Sequence, residues 1–178
     1  MKKIPSWEKD GYRLRLAKED DVTDYYANNY VPLDQEVVRM TGSRSYFAKE
    51  EVEEFFLYSV AAEDLYMFVL EAPDGHIVGE SVIDDIDWKI RKANFRIAIF
   101  HAVDREKGLG SWMVEKTRDF ALEELNLHRL DLNVFSFNPR AERVYQKAGF
   151  VREGVLRDAV MDGDRYADDI LMAIVKEE

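Results

Sequence analysis

Short stretches of alternating or continuous hydrophobic residues recur along the chain, a pattern typical of β-strands that are partly or fully buried. The stretches that predict strands are 12–16, 65–71, 77–83, 94–100, 129–135, 150–161 and 166–175. Segments 73–76 and 162–164 consist mostly of residues that favour tight turns. The pattern therefore predicts a sheet that includes two hairpins.

Elsewhere the hydrophobic period lengthens to that of an amphipathic helix. Helices are predicted over about 21–29, 49–63, 109–125 and 139–148. The last has Asn138 as its N-cap, Pro139 at its first position and Gly149 just beyond its end. Segment 32–47 has no clean period and is predicted to cross the surface. The mixed order of elements predicts an α/β or α+β fold with helices packed on the faces of a sheet.

Composition narrows the class of protein. The 178 residues contain no repeat and no flexible linker, so a single domain over 1–178 is expected. The chain contains no Cys, which excludes disulfides, thiolate nucleophiles and cysteine-based zinc sites. Its three His residues are not spaced with carboxylates as metal ligands, so no metal is expected.

Charge and hydropathy bear on partners and location. The chain has 25 Lys and Arg against 36 Asp and Glu, a net charge of -11. This balance disfavours nucleic acid and anionic membranes and suits small cationic molecules. No apolar run approaches the length of a membrane span, and no apolar core follows the basic start at Lys2 and Lys3. A cytoplasmic protein is therefore expected.

The segment 105–111 is the first candidate for chemistry. Two glycines stand where a strand gives way to a helix, and free N–H groups at a helix N-terminus attract phosphate. Arg105 and Lys107 add positive charge that could reach a phosphate. The alternative is an ordinary strand-to-helix turn whose glycines serve geometry alone. The fingerprints of P-loop and dinucleotide-binding proteins are absent.

The second candidate is the helix over 139–148. Its apolar face includes Tyr145, which read alone is more often a core aromatic than a catalytic group. About thirty residues and one predicted strand separate it from the glycine segment. The two elements together resemble the GNAT superfamily of N-acetyltransferases. The residues that match its two motifs are Arg105, Gly108 and Gly110 in the first, and Asn138, Ala141, Tyr145, Lys147, Gly149 and Phe150 in the second. The flanking segments look most like the ribosomal-protein alanine acetyltransferase and spermidine acetyltransferase branches.

This resemblance implies a fold and a donor. The fold would be a mixed, mostly antiparallel central sheet of about six to seven strands with helices on both faces. The donor would be acetyl-CoA, with no metal. Its pantetheine arm would pair with the backbone of Ala98, Ile99 and Phe100 in the manner of an added strand.

The resemblance also implies roles for individual residues. Tyr145 would protonate the leaving thiolate, and Asn138 would contact the pantetheine arm. Other predicted donor contacts are the amides of Arg105, Glu106, Lys107, Gly108, Leu109, Gly110 and Ser111, which would hold the pyrophosphate, and the residues Arg140, Ala141 and Lys147.

The sequence departs from these branches at Asn94, where they usually carry a glutamate proposed as general base. The role could pass to Glu80, Asp84 or Asp85, or to a water that they hold. Alternatively, the amine could arrive already neutral, so the sequence leaves the base open. The acidic run at Asp84, Asp85 and Asp87 could hold a cationic amine, or it could be a solvated charged loop. Specificity could also come from segment 32–47.

The expected function is direct transfer of an acetyl group from acetyl-CoA to a primary amine, without a covalent enzyme intermediate. The acceptor could be a protein N-terminus, a polyamine or another small amine. The alternative is a non-catalytic acetyl-CoA-binding sensor or interaction module. A homodimer or a higher homo-oligomer is possible, and neither a nucleic acid nor a membrane is expected as a partner.

Overall fold

A computed structural model describes residues 5–177, so the basic start at Lys2 and Lys3 lies outside it. Within these residues one sheet holds eight strands in the order β1-β2-β3-β4-β5-β6-β8-β7. The strands are β1 Ser6–Lys9, β2 Tyr12–Leu16, β3 Tyr66–Glu71, β4 Ile77–Asp87, β5 Lys92–Ile99, β6 Arg129–Phe135, β7 Val151–Asp162 and β8 Arg165–Val175. In this part of the chain only the β5–β6 pairing is parallel.

Five α-helices cover the two faces of the sheet in the described residues. They are α1 Val22–Asn29, α2 Gln35–Thr41, α3 Lys49–Ala61, α4 Leu109–Asp119 and α5 Pro139–Lys147. A π-helical turn, Phe120–Glu124, continues α4. None of the helices within residues 5–177 combines the length and the apolar composition that a membrane span requires.

Alternation along the central strands divides the core between the two faces. In β3, Met67 and Val69 pack with α1, α2 and α3, whereas Phe68 and Leu70 pack with α4 and α5. Successive side chains of a strand point to opposite faces, so one hydrophobic strand supplies both layers. The expectation of a mixed sheet with helices on both faces is confirmed.

The sheet opens in its middle. β5 and β6 pair only where Lys92–Asn94 lies beside Arg129–Asp131, and beyond that point the two strands diverge. The divergence leaves a cleft between the end of β5 and the end of β6, bounded by α2 and α3 on one side and by α4 and α5 on the other. This gap positions the candidate site.

All seven predicted strands are confirmed, and the structure adds an eighth. β1 is only four residues long, and the turn that joins it to β2 uses positive φ angles at Asp10 and Gly11.

Segment 32–47 contains a helix, α2, that its hydrophobic period does not indicate. Asp34 caps it by accepting from two backbone N–H groups, and Gly42 ends it in the left-handed conformation.

Candidate active site

The cleft has a volume of about 1020 Å³. We call its two sides the glycine-loop half and the α2–α3 half. The glycine-loop half consists of residues 97–100 of the β5 end, loop 105–111 and the cleft-facing side of α5. The α2–α3 half consists of α2, α3 and their connection, together with Tyr30, Glu80 and Arg96.

The edge of β5 that faces β6 presents backbone groups to the cleft. The N–H of Phe100 donates to the carbonyl of Val78 in β4 at 2.8 Å. Because bonding directions alternate along an antiparallel strand, Ala98 also faces β4, whereas Ile97 and Ile99 face the cleft. Of the three residues predicted to pair with an extended ligand, Ala98 and Phe100 therefore turn their backbone groups to β4, and only Ile99 turns them to the cleft. Ile97, which was not predicted, has the same orientation as Ile99.

The glycines of loop 105–111 leave room for a ligand beside the first turn of α4. Gly108 has φ 74° and open space where a Cβ would stand. A Cβ on Gly110 would meet only the Cδ1 of Ile99, at 3.9 Å. The N-terminal amides of α4 and their partial positive charge therefore border a free space, which fits the pyrophosphate of acetyl-CoA.

The Arg105 side chain holds the loop in place instead of facing that space. Its guanidinium donates to the carbonyls of Ile99 and Phe100 at 3.1 and 3.3 Å. It also forms ion pairs with Asp34 at 3.1 Å and Glu36 at 3.0 Å, both at the start of α2. Arg105 thereby connects the two halves of the cleft.

Lys107 is also held away from the cleft. Its Nζ donates to the hydroxyl of Tyr12 at 3.0 Å, and that hydroxyl donates to the buried carboxylate of Asp104 at 2.5 Å. Arg140, by contrast, lines the cleft and is bound only loosely, by an exposed ion pair with Glu106 at 3.2 Å. Of the predicted cationic contacts, Arg105 and Arg140 line the cleft, and Arg140 is the less constrained of the two.

Tyr145 projects from α5 to the floor of the cleft. Its ring packs edge-on against Phe95 and Phe150, with only 8% of the residue exposed. Burial raises the pKa of Tyr145 well above its ordinary value, so its phenol stays protonated at neutral pH. Within residues 5–177 its hydroxyl has no hydrogen-bond partner, which leaves that group available to a ligand.

Asn138 lines the cleft and also caps α5. Its Oδ1 accepts from the N–H of Ala141 at 3.2 Å.

The other residues predicted to contact acetyl-CoA divide into two sets. Those that line the cleft are Ala98, Ile99, Phe100, Arg105, Glu106, Gly108, Gly110, Ser111, Arg140 and Ala141, and those that lie outside its lining are Lys107, Leu109 and Lys147.

Glu80 lies at the boundary between the two halves, on the face of the sheet that carries α1 and α3. The buried hydroxyl of Tyr25 donates to its Oε2 at 2.5 Å, and the hydroxyl of Tyr30 lies 3.1 Å from that of Tyr25. Burial and the nearby Glu80 charge raise the pKa of Tyr30 to about 12. Arg96 Nη1 lies 3.8 Å from Glu80 Oε1. Sequence analysis missed both tyrosines and Arg96, which lie 16 to 55 positions from Glu80 with no motif to connect them.

The acidic run does not reach the cleft. Asp84 is bound by Arg96 at 3.0 Å and by the side-chain amide of Asn94 at 2.9 Å. Asp85 is exposed, and Asp87 accepts from the N–H of Lys89 in the following turn. Neither Asp84 nor Asp85 lines the cleft, so Glu80 is the candidate base that does. The carboxylates of the cleft wall are those of Glu36, Glu51, Glu80 and Glu106.

A comparison with known families decides the assignment of this cleft. Residues 12–151 match the family described as the acetyltransferase (GNAT) domain. The chain belongs to the GNAT family. It is therefore an N-acetyltransferase whose donor is acetyl-CoA, as the two motifs predict. Across residues 5–177, the structure shows no group of three or more His, Asp or Glu side chains placed to hold a metal ion.

Similar proteins are also named N-acetyltransferases. The chain is 26% identical to the SPbeta prophage-derived N-acetyltransferase YokL of Bacillus subtilis, over 98% of this chain and 96% of that protein. It is 29% identical to the spermidine N(1)-acetyltransferase of Vibrio cholerae, over 75% of this chain and 76% of that protein.

Solved structures agree on the fold. The Vibrio cholerae spermidine N-acetyltransferase in complex with CoA and spermine superposes with a TM-score of 0.82 at 25% identity, over 94% of this chain and 96% of that one. The same enzyme has also been solved as a dodecamer, with a TM-score of 0.75 at 25% identity, over 94% and 95% of the two chains. The ribosomal-protein-S5-alanine acetyltransferase of Vibrio fischeri shares the fold, with a TM-score of 0.82 at 22% identity over 96% of both chains.

Proposed function

We propose that the cleft transfers the acetyl group of acetyl-CoA directly to a primary amine, with Tyr145 as proton donor and Glu80 as base. One observation carries the proposal. A protonated phenol and a carboxylate line the same cleft, at the end of β5 where the backbone edge is open. Binding both substrates along this edge would supply much of the rate, because the reaction then needs no encounter in solution.

The glycine-loop half would bind the donor. Ile97 and Ile99 would hydrogen-bond the pantetheine arm, and the amides that begin α4 would hold the pyrophosphate. Tyr145 would donate its proton to the sulfur as the bond between carbon and sulfur breaks. Its hydroxyl has no competing acceptor in the described residues and would stay protonated until it acts.

The α2–α3 half would bind the acceptor. A primary amine arrives as an ammonium at neutral pH and must lose a proton before its nitrogen attacks the thioester carbon. Glu80 would accept that proton, directly or through a water molecule. The hydrogen bond that the Tyr25 hydroxyl donates would fix the orientation of the Glu80 carboxylate.

Replacing Glu80 tests the assignment of the base. Glu80→Gln should lower kcat at pH 7 by about a hundredfold, within the usual range for general base catalysis. The loss should shrink as pH rises above 9, because a growing fraction of the amine then arrives neutral. Release of free thiol with a panel of amines gives both values. Glu115→Gln, an exposed change on α4, is the control. An equal loss at every pH would assign Glu80 a structural role.

The name of the Vibrio cholerae relative supports a polyamine as acceptor, whereas a protein N-terminus rests on the motif resemblance alone. Spermidine and short peptides in the same assay separate the two. If acetyl-CoA binds but none of the amines in the panel causes release of free thiol, the non-catalytic sensor would be favoured.

The dodecameric relative supports a homo-oligomer. Light scattering of the purified protein measures its oligomeric state. A cytoplasmic location stays a prediction.

A further inference from the structure

Each carboxylate in the α2–α3 half of the cleft already has an arginine partner. Glu36 pairs with Arg105 at 3.0 Å. Glu51 pairs with Arg44, which precedes α3. The Nη1 of Arg96 lies 3.8 Å from Glu80. An ammonium group that seeks a carboxylate on this wall therefore meets an existing ion pair.

The charge of the cleft wall differs from that of the whole protein. The chain carries a net charge of -11, yet the wall presents four glutamates and three arginines: Glu36, Glu51, Glu80, Glu106, Arg96, Arg105 and Arg140. The acidic surface would attract any cation over about 8 Å at physiological salt. The near-neutral wall, however, offers little to hold several positive charges once they arrive.

One position retains an excess of negative charge. Arg96 lies between Glu80 and Asp84, at 3.8 and 3.0 Å. Two carboxylates and one guanidinium leave a single negative charge beside the cleft. The guanidinium of Arg96 also lies over the ring of Phe55, 5.5 Å from its centroid, which keeps it between the two carboxylates. This cluster suits one ammonium group.

The rest of the α2–α3 half is apolar. Leu33, Val37 and Met40 line it from the α2 side, and Phe47 and Phe55 from the α3 side. Phe55 is 43% exposed, so part of its ring is free to cover a ligand. Burial of apolar surface contributes about 25 cal/mol per Å². These side chains would therefore bind a hydrocarbon body more readily than a chain of further ammonium groups.

From these observations we infer that the acceptor carries a single ammonium group on an apolar body, and that Arg96 and Arg44 select against polycations by occupying the carboxylates of the wall. The inference rests on the proposed function and narrows its substrate class. It separates this chain from its spermidine-acetylating relatives, since spermidine carries several amino groups.

A matched pair of amines tests the inference directly. Hexylamine and 1,6-diaminohexane share a six-carbon chain and differ in the second amino group, and spermidine extends the series. We expect kcat/KM for hexylamine to exceed that for either polyamine at least tenfold. The rate with hexylamine should change less than twofold between low and high salt, because the attraction that salt screens grows with the charge of the ligand and hexylamine carries only one.

Variants then show what sets the preference. Arg44→Gln removes the ion-pair partner of Glu51, and Arg96→Gln removes that of Glu80. Each should shift the ratio of kcat/KM toward the diamine by about fivefold or more. The ratio is the readout, because it cancels any general loss of turnover. Arg13→Gln breaks a comparably exposed Arg–Glu pair outside the cleft, on the β1–β2 hairpin, and should leave the ratio unchanged.

The outcomes separate this inference from the proposed function. Equal or faster turnover of 1,6-diaminohexane or spermidine by the wild-type protein would overturn the inference and leave acetyl transfer intact. A ratio that both arginine variants leave unchanged would overturn the role of the two arginines, even if hexylamine is preferred. Absence of thiol release with all three amines and also with short peptides, in a protein that acetyl-CoA stabilises against heat, would refute both.

Discussion

The two halves of the cleft are built by different means. The glycine-loop half depends on backbone: an open strand edge, two glycines and the first turn of a helix, most of them within residues 97–111. The α2–α3 half depends on side chains that five elements bring together. A binding surface made of backbone groups tolerates most side-chain substitutions, whereas the shape and charge of a wall made of side chains change with each substitution. One half therefore suits a constant donor, and the other can adapt to a new acceptor.

The largest effect is expected from filling the space beside α4. Acetyl-CoA at a hundredfold excess over its Kd should stabilise the wild-type fold by about 2.7 kcal/mol. Gly110→Val should abolish most of that gain, because its side chain would enter the space reserved for the pyrophosphate. Gly110 is the better position, since its backbone is unstrained whereas Gly108 needs a positive φ.

Thermal shift with and without acetyl-CoA measures this effect. Gly154→Val on β7 is the control, since a Cβ there makes only ordinary contact with Leu171 at 3.6 Å. A full shift in the Gly110 variant would show that the donor does not bind against α4.

A smaller effect is expected from removing one hydroxyl. Tyr145→Phe keeps the ring contacts with Phe95 and Phe150 and deletes the proton donor. We expect kcat to fall about tenfold to a hundredfold, the low end for general acid catalysis because a thiolate leaves readily. The Kd of acetyl-CoA should change little. Tyr166→Phe, at an exposed position on β8, should retain full turnover. Wild-type turnover in the Tyr145→Phe protein would make Tyr145 a packing residue.

The pH profile provides a finer test of the same residue. An unperturbed tyrosine has a pKa near 10 and would be about half ionised at pH 10. Burial raises the pKa of Tyr145 above that value, so the protonated form persists as pH rises. We therefore expect kcat to climb as the amine loses its proton and not to fall between pH 9 and pH 10. A twofold fall from pH 9 to pH 10, in protein that is still folded, would contradict the raised pKa.

The smallest effect is expected at the acidic run. Asp85 is exposed and outside the cleft, so Asp85→Asn should change the KM for the amine by less than twofold. Steady-state kinetics at two salt concentrations measures it. A clear rise in that KM would return the amine site to the 84–87 region and weaken the contrast between the two halves.

Local signals explain which parts could be predicted from sequence. The caps at Asn138 and Gly149, the glycines at 108 and 110 and the strand alternation all act within a few residues. Helix α2 was missed because it is seven residues long and buries only Val37, too little for a visible period. Its cap at Asp34 and the glycine that ends it, Gly42, were the available signals.

The contacts around Glu80 could not be predicted, for a different reason. Tyr25 lies 55 positions away in sequence, and only the packing of α1 on β4 brings its hydroxyl to the carboxylate. The acidic run shows the opposite error, since it is prominent in the sequence but does not belong to the site. Arg96 and Asn94 bind Asp84 outside the cleft. Composition gives the amount of charge but not the side chains that neutralise it.

The divergence of β5 from β6 also bears on how the protein behaves in a crowded solution. An open strand edge invites other chains to add to the sheet and so to aggregate, and proteins usually protect such edges with charge, distortion or a covering element. Here the edge is recessed in the interior of the sheet, with α2 and α5 lining the space before it. A thin arm such as that of pantetheine would fit along Ile97 and Ile99, whereas a polypeptide strand with side chains on both faces would meet those helices. The recess admits a small ligand and shields the same edge from self-association.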